Sequence, residues 1–172
     1  MQQLCLTGSH AALIAERLFT ALNVRPVGYR LIPFHVDGDC RGEALRMLLP
    51  PALPAYNDVP CRIRLTADRC AIVPEALETI AAPGLRAALG VHAPLLLGRV
   101  HADLLACPAF REAVRDCLMS SRPVITVADA DAKPLLRALT PADKQLWFTV
   151  PDDAAGQSAL LEALIPEAML RF

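Results

Sequence analysis

Along this chain the apolar positions change period repeatedly, and each change marks an element. Residues 3–7 form a short apolar run that stops at Gly8, the pattern of a strand buried on both faces. Residues 12–22 return apolar side chains every three or four positions, which predicts a helix, with Gly8-Ser9-His10 as the turn before it. Residues 27–36 are β-rich and lead into Asp37-Gly38-Asp39, a strong turn signal, so residues 43–49 are expected as the return strand of a hairpin. Pro33 is then expected on a sheet edge, because it has no N–H to give a second neighbour. Residues 49–60 carry the densest prolines and predict a surface loop or extended arm. Residues 62–65 alternate as a strand does, and 68–73 read as a turn and a short strand. Pro74 opens a helix with Ala76, Leu77 and Ile80 on its apolar face, and residues 84–89 give a further turn of helix.

From there strands and helices take turns: strand 93–100, helix 108–119, strand 123–128, helix 132–139, strand 145–150 and helix 154–164. Right-handed crossovers stack such helices on the two faces of one sheet. The predicted fold is therefore α/β and three-layered, a mainly parallel central sheet flanked by helices with an inserted β-hairpin. Residues 1–172 are expected to form one domain, a length that builds a full core without staples.

Composition narrows the function classes. The chain is 54% hydrophobic with a mean hydropathy of +0.36, yet no apolar run reaches the roughly 18–20 residues that span a bilayer. The first residues carry no basic segment of the signal-peptide kind, so a cytoplasmic protein without a membrane span is expected. A formal net charge of −1, with no Lys/Arg cluster, argues against nucleic acid as a partner. So apolar and so weakly charged a surface suits a protein partner or self-association. The six cysteines contain no C-x-x-C pair and are expected as reduced, buried thiols.

The first twenty residues have the strand, turn, helix layout of a phosphate-binding loop. The frame G-x-x-x-x-G-K-[ST] laid from Gly8 covers Ser9, His10, Ala11 and Ala12, then puts Leu13 at the second glycine, Ile14 at the lysine and Ala15 at the hydroxyl. Ile14 and Ala15 offer neither an ammonium for phosphate nor an oxygen for Mg²⁺, and Leu13 lacks glycine's freedom. Residues 8–15 are thus the candidate nucleotide-facing segment, in vestigial form. His10 is expected to face solvent, and Ser9 to cap the following helix. Asp129 and Asp131 are expected as helix caps. Trp147 and Phe148 are expected in the core.

With Leu6-Thr7-Gly8, Pro26-Val27-Gly28-Tyr29-Arg30, the segment Cys107 to Ala113 and the strand at Arg122 to Val127, the chain resembles the small P-loop nucleoside-triphosphatases of the thermostable archaeal and bacterial type, related to RecA-like ATPases. The resemblance implies a Mg-nucleotide at the loop and, ending the central strand, an Asp-Glu-Ile-Gly type motif whose acids hold Mg²⁺ and orient the attacking water. Here that place holds Gly98, Arg99, Val100 and His101, with Asp103 nearby. The expectation is a catalytically degenerate relative, a pseudoenzyme with no catalytic residue, metal or cofactor, acting as a protein-interaction or regulatory module. Arg99 is read as a surface residue or salt-bridge partner and His101 as a helix-start or loop histidine, with contacts to a phosphate or other small anion as their competing role. The alternative is a nucleoside-triphosphatase with an unconventional loop, in which Arg99 or another arginine replaces the lysine.

Overall fold

A computed structural model describes residues 3–53 and 57–171. Its eight strands lie in the order β5-β4-β3-β2-β6-β7-β1-β8. The strands are β1 (Gln3–Thr7), β2 (Val27–Val36), β3 (Asp39–Leu48), β4 (Asn57–Arg64), β5 (Cys70–Ile72), β6 (Leu95–Val100), β7 (Val124–Ala128) and β8 (Gln145–Thr149). From β2 through β6, β7 and β1 to β8 every pairing is parallel, while β2 to β5 extend the sheet antiparallel. Helices α1 (Ala11–Ala21) and α6 (Ala154–Met169) cover one face, packing Ile14, Leu18, Leu164 and Ala168 on Leu4, Leu6, Leu96 and Ile125. The other face is covered by α2 (Pro74–Ala76), α3 (Ala82–Leu89), α4 (Pro108–Met119) and α5 (Lys133–Leu139) over Tyr29, Leu95 and Leu97.

Burial explains the strand sequences. β1 and β7 are buried at all five of their positions, which is why they read as apolar runs rather than alternations. Gln3 is tolerated there because its amide is satisfied, donating to the Leu118 carbonyl and accepting from the Val124 N–H. In α4 the buried set Phe110, Ala113, Val114, Cys117 and Leu118 follows helical spacing, and its bounds are those the sequence predicts.

Two glycines set how closely the hairpin approaches the parallel strands. Gly28 has φ +123°, and a Cβ there would lie 2.2 Å from the Leu96 carbonyl oxygen, so only glycine lets β2 seat against β6. Gly98 has no room either: its Cβ would lie 2.6 Å from the Tyr29 oxygen and 2.7 Å from the Arg30 Cα. At the far end, Asp37 and Gly38 both have positive φ, the backbone of a two-residue hairpin turn, and β3 starts at Asp39 rather than at residue 43.

Three other differences from the sequence reading have local causes. The arm expected at 49–60 becomes strand β4 from Asn57, with residues 54–56 outside the described set; Pro60 sits opposite Ala44, where the β3–β4 register slips, so its missing N–H breaks no regular ladder. Residues 74–89 run as one helical segment, because a π-helical stretch, Leu77–Ala81, precedes Pro83 and absorbs its missing N–H. Helix α6 continues through Pro166 to Met169, since Ala168 still packs against the α1 face. Pro33 lies beyond Tyr29, where β2 no longer pairs with β6, so it borders β3 alone.

The close approach at Gly28 gives a direct expectation. Gly28→Ala adds a positive-φ penalty and a backbone clash, and should lower unfolding free energy by about 2–4 kcal/mol in urea titration. Gly38→Ala, with φ +86° but nothing within 4 Å of its Cβ, should cost only about 1–2 kcal/mol.

Candidate functional site

The segment between β1 and α1 is short. Gly8, at φ +111°, packs against Val150, and α1 begins at Ala11, so only three residues link strand to helix. Ile14 and Ala15, at 0% and 1% exposure, point from α1 into the core with Ala11, whereas Ala12 and Leu13 face outward. Ser9 does not cap the helix; its hydroxyl donates to Asp152 Oδ1 at 2.7 Å, which sets a carboxylate beside the turn. His10 occupies the cap position without a side-chain bond and is half-buried. The lysine and hydroxyl positions of the phosphate-loop frame are therefore core positions, and the Asp152 carboxylate beside Ser9 repels phosphate.

The end of β6 holds a denser arrangement. At Gly98 the β2 backbone takes the space that an acidic side chain would need. Arg99 follows with φ +46°, a left-handed conformation uncommon for a side-chain-bearing residue and found mostly where surroundings impose it. Its guanidinium donates from Nε to Asp129 Oδ1 at 3.2 Å and lies 3.8 Å from Glu43 Oε1. His101 is buried, with Nδ1 2.6 Å from Asp129 Oδ2 and Nε2 2.7 Å from Glu43 Oε2. That second approach is a close ion contact rather than an aligned hydrogen bond. Arg62 completes the group, donating to Asp103 Oδ2 at 2.7 Å and to Glu43 Oε2 at 3.1 Å.

Electrostatics fixes the protonation states. Burial alone would depress the His101 imidazole, but Asp129 and Glu43 outweigh it and raise its pKa to about 9. The His101 contact, against the opposing effect of burial, holds Asp129 down at about 2. Burial pushes Glu43 up, yet His101, Arg99 and Arg62 together hold it below the usual carboxylate range. Arg62, despite partial burial, is raised by Asp103. Three cations, His101, Arg62 and Arg99, face three carboxylates, Glu43, Asp103 and Asp129, so the cluster neutralises itself. An imidazole held protonated through neutral pH is poorly matched to general-base work, and carboxylates already engaged by cations are poor Mg²⁺ ligands.

Sequence reasoning placed Arg99 and His101 at this edge but missed their partners. Asp129, expected as a helix cap, precedes α5 by several residues and turns back to His101 and Arg99. Glu43 and Arg62 come from adjacent strands and pair across them in register, a signal that needs the β3–β4 alignment to be visible. Asp153, not Ser9, is a true cap, accepting from the Gly156 N–H at 2.7 Å. Trp147 is half-buried, with Lys133 Nζ 5.1 Å above its ring. Cys5, Cys61, Cys107 and Cys117 are buried free thiols, whereas Cys40 and Cys70 border a cleft of about 470 Å³ between α1 and the hairpin. Among the described residues no cluster of three or more His, Cys, Asp or Glu is arranged to hold a metal ion. Among them also, no helix is long and apolar enough to cross a membrane.

No protein-family model matches the chain, and comparison with curated proteins gives no match. Among solved structures, the crystal structure of THEP1 from the hyperthermophile Aquifex aeolicus is similar, with a TM-score of 0.68 over 97% of this chain and 98% of that chain at 13% identity. At that identity the likeness establishes the fold, which is P-loop NTPase-like.

The ion cluster predicts a two-sided pH dependence. His101 stabilises the fold fully below its ordinary value of 6.5, and this contribution should fade as pH rises through about 9. Asp129 stabilises above its ordinary 3.8 and loses this as pH falls towards about 2. His101→Gln should abolish the alkaline limb in a pH series of urea titrations and cost about 2–3 kcal/mol at pH 6, less than a wholly buried pair because Asp129 is partly exposed to solvent.

Proposed function

We propose that this chain is a non-catalytic member of the P-loop NTPase-like fold, acting in the cytoplasm as a protein-interaction or regulatory module without Mg-nucleotide chemistry. The observation that carries this reading is what occupies three positions: Ile14 and Ala15 are core residues, and Gly98 lies against the β2 backbone. Phosphoryl transfer depends on positioning and on neutralising charge, supplied by a lysine, a metal and its acid ligands. None of these side chains stands at those positions, and Asp152 beside Ser9 opposes phosphate binding further.

The competing reading, a nucleoside-triphosphatase with an arginine in place of the lysine, has less support. Arg99, the arginine nearest the end of the central strand, is engaged by Asp129 and approaches Glu43. A binding role is supported by exposed apolar side chains, notably Leu65 on the hairpin side, Met169 ending α6 and Leu170 just after it, at 59%, 68% and 84% exposure.

Isothermal titration with ATP and GTP, with and without Mg²⁺, beside a phosphate-release assay, tests the reading. The expected result is no Mg²⁺-dependent heat up to millimolar nucleotide and no release; micromolar Mg²⁺-dependent binding would overturn it. Ile14→Lys should not restore binding. By placing an ammonium in the core it should lower stability by about 3 kcal/mol or more in urea titration.

A further inference from the structure

We propose that the cleft between α1 and the hairpin is a binding site for a small organic anion with an apolar body, and that Arg64 is its main polar contact. This goes beyond the loss of phosphoryl transfer and holds independently of it, since no metal and no part of the β1–α1 turn is involved.

The cleft, about 470 Å³, has the size of a small-molecule site and lies by the C-terminal ends of β6 and β7, where open α/β sheets place their ligands. One wall is apolar, made by Ala12 and Ala15 of α1 with Leu96 and Val127 of the sheet. Across it, the first half of the hairpin contributes Leu31 and Ile32. An all-polar ligand would leave these surfaces facing water.

The hairpin supplies the charge. Strand alternation puts Arg62 and Arg64 on the same face of β4. Arg62 is taken by Glu43 and Asp103, but Arg64, two residues on and exposed at the cleft rim, makes no ion pair or side-chain hydrogen bond with any described residue. Arg30, Arg62, Arg64, Arg99 and protonated His101 border the cleft, against Glu16, Glu43 and Asp129, so cations remain in excess. Because His101, Arg62 and Arg99 are already matched by carboxylates, that excess concentrates at Arg64. A free guanidinium fork donates to two oxygens of a carboxylate or a phosphate ester equally well, and the apolar walls take the rest of the molecule.

Titration calorimetry at low ionic strength with phenyl phosphate, benzoate and inorganic phosphate tests the assignment. The natural protein should bind at least one of the two aryl anions, and which binds more tightly tells phosphate ester from carboxylate. Arg64→Ala should weaken that binding by about tenfold to a hundredfold, whereas Arg115→Ala, on the exposed side of α4, should leave it unchanged. Inorganic phosphate should bind about tenfold more weakly than phenyl phosphate, lacking the apolar body. Three results would each overturn the proposal: no heat with either aryl anion, equal binding by Arg64→Ala and the natural protein, or equal binding of inorganic and phenyl phosphate. Arg64 is exposed and unpaired, so its substitution should leave the circular dichroism spectrum intact.

Discussion

The imidazolium of His101 is the contact on which the rest of the arrangement depends. It sits between Glu43, from the antiparallel extension, and Asp129, from the end of β7, and so joins two parts of the sheet that backbone pairing connects only through the first residues of β2. A buried ion pair stabilises only when its geometry is good and every member has a partner. Here Arg62 and Arg99 supply the remaining donors to the carboxylates, Arg99 from a left-handed backbone.

The same close packing shapes the two places where the phosphate-loop frame and the acids of the central strand would fall. In this chain β2 closes on Gly98, and α1 starts directly after His10. The carboxylates of Glu43, Asp103 and Asp129 are matched by a histidine and two arginines. The cleft remains open, and among the described residues its unmatched cation is Arg64 on the extension, away from the phosphate-loop turn.

Much of the fold was legible because its strongest signals are local. Apolar runs marked the parallel strands, helical spacing marked α1 and α4, and Asp37-Gly38 marked the hairpin turn. Prolines misled wherever neighbouring packing supplied the answer: Pro60 at a slipped register, Pro83 behind a π-helical stretch, Pro166 inside α6. The site was half legible. Gly98, Arg99 and His101 stand out by position, but the partners that set their chemistry come from about 30 to 60 residues away in sequence, and no spacing rule links Glu43 or Asp129 to His101.

At the end of the central strand, His101 is held protonated between Glu43 and Asp129. Nitrogen-15 NMR of the four imidazoles between pH 5 and 10, with His101 assigned from the His101→Gln spectrum, tests it most directly. Both His101 ring nitrogens are expected to carry protons at pH 7, with the imidazolium losing one of them near pH 9. A His101 that is neutral at pH 7, with a pKa at or below its ordinary 6.5, would contradict it.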